Sequence, residues 1–116
     1  MTMRVLAGLA MTVIAVAALA HSTVKSTVPA SNSTVPASPP EVVINFNEPA
    51  RLVAVVVARA GASERKLQFT PVGESTSFTI AAPQLENGRN EINWRALSKD
   101  GHPVSGTIVI VVKPGA

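Results

Sequence analysis

Six strand-like runs fill the second two thirds of this chain and leave little choice of fold: Glu41 to Asn47, Arg51 to Arg59, Arg65 to Thr70, Thr76 to Ala81, Arg89 to Leu97 and Val104 to Lys113. Each alternates with a period of two and is bounded by Pro, Gly, Asn or Ser, and no apolar stripe of helical period interrupts them. Val55-Val56-Val57 and Ile108-Val109-Ile110-Val111-Val112 are too apolar for a sheet wetted on one face, so their strands are expected to be central. Phe46, Phe69, Phe78 and Trp94 all fall inside these runs, where large aromatics fill the space between sheets. The pattern predicts an all-β fold, a Greek-key antiparallel β-sandwich of about seven strands, immunoglobulin-like in the loose sense.

The segment from His21 to Pro40 is different in kind. It is rich in Ser, Thr and Pro, and Ser26-Thr27-Val28-Pro29-Ala30-Ser31 recurs as Ser33-Thr34-Val35-Pro36-Ala37-Ser38. Two copies do not make a repeat architecture. The prolines rule out a helix and favour a short edge strand with a connecting loop.

Upstream of it, Met1-Thr2-Met3-Arg4 is a short positive start, Val5 to Ala18 is almost uninterruptedly apolar, and Ala18-Leu19-Ala20 is a small-x-small end. This is the layout of a secretory signal peptide over residues 1–20, with cleavage expected after Ala20. An apolar run of roughly fourteen residues falls short of the ~20 that span a bilayer core, so cleavage is favoured over anchoring. The mature chain, residues 21–116, is then one domain.

All three methionines, Met1, Met3 and Met11, belong to that leader, and the chain has no Cys. The mature domain must therefore hold together by its core alone. Without Arg4 it has nine Lys and Arg against seven Asp and Glu, scattered along the chain without a stripe or interleaved aromatics. Nucleic acid is not an expected partner.

The chemistry is confined to very few residues. The chain has two histidines. Cleavage after Ala20 makes His21 the first residue of the mature protein, while His102 sits in Ser98-Lys99-Asp100-Gly101-His102-Pro103, a turn-like stretch before the last strand. Alone, each has an ordinary explanation: a frayed terminus, and a hairpin whose Asp-Gly is followed by an idle His. Together they form a donor set. A terminal His offers its α-amine and its imidazole Nδ1 in one chelate ring, and an α-amino group, with an ordinary pKa of about 7.7–8.0, loses its proton at modest cost. His102 and a carboxylate oxygen of Asp100 would complete three nitrogens and one oxygen. Such a set in a tetragonal plane suits Cu(II). Asp100 and His102 are two apart, so in an extended segment they would share a face. Cu(I) prefers thioether and thiolate ligands, which the mature chain lacks, so no Cu(I) thioether site is expected. The spaced Cys and His ligands of structural zinc are also missing.

The residues Ala20-His21-Ser22 with Pro29-Ala30, Phe46-Asn47-Glu48-Pro49, and Trp94 through Gly106 resemble the CopC family of periplasmic copper-resistance proteins, over essentially all of the mature sequence. The last stretch is the most specific. The resemblance implies a periplasmic β-sandwich holding one Cu(II) through His21, Asp100 and His102, with Glu48 nearby as an acceptor that orients a ligand. It also implies copper sequestration or delivery, to a membrane copper transporter of the kind the family accompanies; the protein is expected to be a monomer and not an enzyme. The departure from the family's fuller version is the missing Met-rich Cu(I) site. Ile108 and Ile110 stand where aromatics are frequent, which implies a repacked core.

Two other functions fit parts of the sequence. Oxidative polysaccharide-cleaving enzymes also use a terminal-His copper site, but a carboxylate among the ligands favours a quieter Cu(II), and the mature chain has no Tyr and one Trp for a sugar-binding face. A metal-free adhesion or assembly sandwich would be indifferent to replacing either histidine.

Overall fold

In the computed structural model, which describes residues 23–70 and 73–115, the chain forms seven strands and, among those residues, no helix. They are β1 (Val24–Val28), β2 (Ser33–Val35), β3 (Glu41–Ala58), β4 (Arg65–Lys66), β5 (Glu74–Ala81), β6 (Gly88–Ser98) and β7 (Pro103–Val112). Residues 1–20 and His21 lie outside the described residues, and so does the expected cleavage after Ala20.

The two runs expected at 41–47 and 51–59 are one bent strand, β3. Its first half pairs with β1 and β5, and its second half with β6 and β4. The bend is a wide bulge: β3 advances from Asn45 to Ala50 while β5 moves only from Ser77 to Ser75. The extra residues include Pro49, which has no amide to offer a ladder and is tolerated where pairing breaks. A strand that changes sheets at such a corner builds a sandwich from one chain of pairings, β1-β3-β6-β7-β2.

The two layers meet through the buried residues of each strand. Val42, Ile44, Phe46, Phe78 and Ile80 face Leu52, Val55, Val57, Ile92, Trp94, Ala96, Ile108, Ile110 and Val112 in one cluster, and partly buried Phe69 packs against it. Phe46 is the hinge of this packing. Its ring meets Phe78 edge-on at 5.9 Å between centroids and Trp94 edge-on at 5.2 Å, the geometry that ring quadrupoles favour. Trp94 in turn lies over Gly106, its register partner on β7. A Cβ at that glycine would come 2.6 Å from Trp94 Cζ2, so the indole occupies space that any other residue would fill. Ile108 and Ile110 are fully buried in the same core.

Three local outcomes differ from the sequence-based expectations. The run at 65–70 pairs with β3 only over Arg65–Lys66, with one further bridge from Phe69 to Ile80. The sandwich is not wholly antiparallel: β2 runs parallel to β7, Ser33 opposite Ile110 and Val35 opposite Val112. Parallel pairing needs a long connection, and the whole domain lies between these strands in sequence. The strand with partners along nearly its full length on both sides is β6, whereas β2 covers β7 only at residues 110–112.

The far end of the sandwich is closed by Asn90, which is fully buried. Its amide donates to the carbonyls of Glu86, Gly88 and Ile110, and its Oδ1 accepts from Arg59 Nη1 at 3.1 Å and the Glu86 amide at 3.3 Å. Both ends of the side chain are satisfied, which is the condition for burying an amide without a large cost. The Arg59 guanidinium also donates to the Asn87 carbonyl at 3.0 Å, pinning the loop before β6.

Candidate metal centre

Asp100 and His102 ride on the β6–β7 hairpin. Its pairing runs as far as Leu97 opposite Pro103, and one further backbone bond, from the Ser98 amide to the His102 carbonyl at 2.8 Å, closes the loop. Inside it the Gly101 amide donates to the Ser98 carbonyl at 2.8 Å, and Gly101 has φ 86°. This is a three-residue loop, a turn at Lys99-Asp100 followed by a left-handed residue, and the left-handed position is what the Asp-Gly pair supplies. Ser98 is the organising residue, because its Oγ also accepts the His102 amide at 3.1 Å.

The expectation that Asp100 and His102 share a face of an extended segment is corrected here. Gly101 reverses the backbone between them, so strand alternation does not apply. Both lie on the same short turn, and both are exposed. An exposed donor pair on a short hydrogen-bonded loop is open to a ligand arriving from outside.

Glu48 lies in the β3 bulge, exposed, two residues before Ala50. Ala50 is the register partner of Ser98, so the bulge borders the hairpin's base. Next to Glu48, the Asn47 amide donates to the Thr23 carbonyl at 2.9 Å. A run of backbone contacts thus links Thr23, where the described chain begins, through the Asn47–Ala50 corner to Ser98 and His102. Asp100, His102 and Glu48 do not form a three-ligand site by themselves: among the described residues no three His, Cys, Asp or Glu gather closely enough to hold a metal ion. His21 lies outside the described residues.

Sequence reasoning missed Ser98 and the close approach of Gly106 to Trp94. The first is signalled only by its place two residues before Asp-Gly, and the second by a glycine inside an apolar strand. A groove of ≈ 660 Å³ runs from Thr23 and Val24 to Val104 and Gly106, with Trp94 behind it. Among the described residues no His, Asp or Glu lines it. Trp94 is only 3% exposed, and the large exposed hydrophobics among the described residues, Val28, Val53 and Leu97, are all aliphatic.

The model of the CopC domain matches residues 24–113. Copper resistance protein C of Escherichia coli is 29% identical over 111 residues, covering 86% of this chain and 87% of that protein. Among solved structures, CopC from Methylosinus trichosporium OB3b superposes with a TM-score of 0.67 at 24% identity, covering 83% of this chain and 97% of that one. PcoC, a methionine-rich copper resistance protein from Escherichia coli, superposes with a TM-score of 0.57 at 28% identity, covering 78% and 96%.

Proposed function

This chain belongs to the CopC family of copper-resistance proteins, and from that premise we propose that its mature form, residues 21–116, binds one Cu(II) ion in the periplasm through the His21 amine and imidazole, Asp100 and His102. The leader over residues 1–20 directs secretion and, once cleaved after Ala20, exposes His21 as the terminal chelate. Glu48 accepts a hydrogen bond that orients a ligand without touching the metal.

The observation that carries this reading is the backbone run from Thr23 to His102. That run crosses two strand spacings, Thr23 to Asn47 and Ala50 to Ser98, about 5 Å each, joined by the corner from Asn47 to Ala50. Two residues of chain reach at most about 7 Å beyond Thr23 and an imidazole reaches further, and because Thr23 bonds to the corner that borders the hairpin's base, a histidine at position 21 can extend toward the Asp100–His102 pair. The described residues supply two donors, and the terminus supplies the two that complete a tetragonal plane.

The metal is cargo rather than a reagent. A carboxylate in the plane favours a quiet Cu(II), and the buried Trp94 leaves no aromatic platform for a sugar among the described residues, which supports a carrier over an oxidative enzyme. PcoC is described as methionine-rich, whereas no Met follows Met11 here, so a Cu(I) thioether site and internal transfer between two copper sites are not part of the proposal. The carrier acts as a monomer, holding Cu(II) and releasing it to an inner-membrane copper transporter.

The test is a Cu(II) titration followed by electron paramagnetic resonance on the secreted protein and on its His102→Ala and Asp100→Asn variants. One tight equivalent with a nitrogen-rich tetragonal signal, lost in His102→Ala and altered in Asp100→Asn, supports the site. Unchanged binding in both variants overturns it.

A further inference from the structure

The outer face of the β3–β6–β7 layer carries a charge pattern that copper binding does not use. Arg51 is the register partner of Leu97, which is opposite Pro103, and in the next row Ala54, Arg95 and Ser105 are partners. Lys66 on β4 is opposite Val56 on the same face. Between these rows Val53 is the extra residue of a β3 bulge: the register passes from Leu52 opposite Ala96 to Ala54 opposite Arg95, leaving Val53 unpaired and 46% exposed. A bulge re-aims a side chain, and this one turns a valine outward beside Leu97, itself 36% exposed.

Glu74 on β5 is the register partner of Arg51 but makes no ion pair with it, and among the described residues no carboxylate stands in register with Lys66 or Arg95. Glu91, farther along β6, is held by Arg89 at 3.0 Å. Among the described residues, the side chains of Arg51, Lys66 and Arg95 make no hydrogen bond or ion pair. Unpaired arginines around an exposed apolar centre match the make-up of protein interfaces, where the planar guanidinium binds carboxylates in pairs and the apolar centre excludes water. The patch ends at Leu97, one residue before the hairpin that carries Asp100 and His102, so a partner seated on it stands beside that hairpin.

We infer that this face, with Arg51, Arg95 and Lys66 around Val53 and Leu97, is a docking surface for a protein partner whose own surface has an apolar centre rimmed by carboxylates. The attraction is between exposed charges, so it is strong at low salt and screened as the Debye length shrinks below about 10 Å. This inference does not depend on the copper ligands, and the metal-free protein tests it.

The experiment is a titration of the isotope-labelled, metal-free secreted protein with a synthetic peptide of alternating Glu and Leu, followed by amide chemical shifts. Vesicles containing phosphatidylglycerol are titrated separately. The expected result is peptide-induced shifts confined to residues around Arg51, Val53, Arg95 and Leu97, suppressed by high salt, with binding weakened roughly tenfold or more in an Arg51→Glu/Arg95→Glu double variant. The variant's thermal melt and Cu(II) titration, measured alongside, show that it is folded. Absence of shifts, shifts spread equally to Lys25, Arg89 and Lys113, or shifts produced by the vesicles and not by the peptide would each overturn the inference, the last by making the patch a membrane contact.

Discussion

Ser98 holds His102 from two sides: the Ser98 amide donates to the His102 carbonyl at 2.8 Å, and the Ser98 hydroxyl accepts the His102 amide at 3.1 Å. The orientation of one proposed copper ligand therefore rests on a residue that has no contact with the metal in the proposal.

Ser98→Ala removes the acceptor for the His102 amide while leaving the backbone bond. The expected stability loss is about 0.5–1.5 kcal/mol, measured by urea denaturation. Cu(II) affinity should fall several-fold in a competition titration, and Ser98→Thr, which keeps a hydroxyl, should restore it. An affinity unchanged in the alanine variant would show that the turn is held by Gly101 and the backbone alone.

Gly106→Ala puts a methyl group where the Trp94 indole lies. Either the ring or β7 must move, and overpacking of this kind costs about 1–3 kcal/mol. The thermal midpoint should fall and the Trp94 fluorescence maximum should shift to the red as the ring is displaced. Because the chain has a single Trp, the emission reports on this contact alone.

Asn90→Ala strips the buried Ile110 carbonyl and the Glu86 amide of a partner and leaves the Arg59 guanidinium without its Oδ1 acceptor. A loss of about 1–3 kcal/mol is expected in chemical denaturation. Asn90 lies seven residues along β6 from Leu97, at the opposite end from the hairpin, so Cu(II) affinity should stay within error of the parent protein. A copper defect in this variant would mean that the two ends of the sandwich are coupled.

Much of the architecture was legible because strand alternation is enforced by burial on one face: Val42, Ile44 and Phe46 on β3, and Ile92, Trp94 and Ala96 on β6, alternate with outward residues as their sequence predicts. What was not legible is pairing between distant segments. The repeated Ser-Thr-Val-Pro-Ala-Ser shows why. In its first copy Ser26, Thr27 and Val28 pair antiparallel with β3, and in its second Ser33, Thr34 and Val35 pair parallel with β7 in the other layer. Identical hexapeptides take different partners, so the choice lies in the tertiary context and not in the segment. The merging of two expected strands into β3 has the same origin, since Asn47-Glu48-Pro49 reads locally as a turn and becomes a corner only because both halves pair with β5. At the candidate site, the Asp-Gly signal located the hairpin, but the two-residue spacing of Asp100 and His102 invited a strand argument that the left-handed Gly101 invalidates. The backbone link from Thr23 through the β3 corner to that hairpin is a consequence of the β1–β3–β6 order, which no local pattern encodes.

Cu(II) binding should weaken on acidification. The terminal amine and the imidazoles bind metal only without their competing protons, so binding releases protons and acid reverses it. For each proton displaced, the conditional affinity should fall by up to about tenfold per pH unit below the pKa of the group concerned. A competition titration from neutral to mildly acidic pH measures the slope; a flat profile would exclude nitrogen ligands of this type.

The most direct test of the central claim compares two forms of the secreted protein, one beginning at His21 and one carrying a single additional residue before it. The extra residue converts the α-amine into an amide and leaves Asp100 and His102 untouched. The account predicts that the form beginning at His21 binds one tight equivalent of Cu(II) with a tetragonal, nitrogen-rich paramagnetic resonance signal, and that the extended form binds far more weakly or with a different signal. Equal affinity and identical spectra in the two forms would contradict it, because the terminus would then not be a ligand.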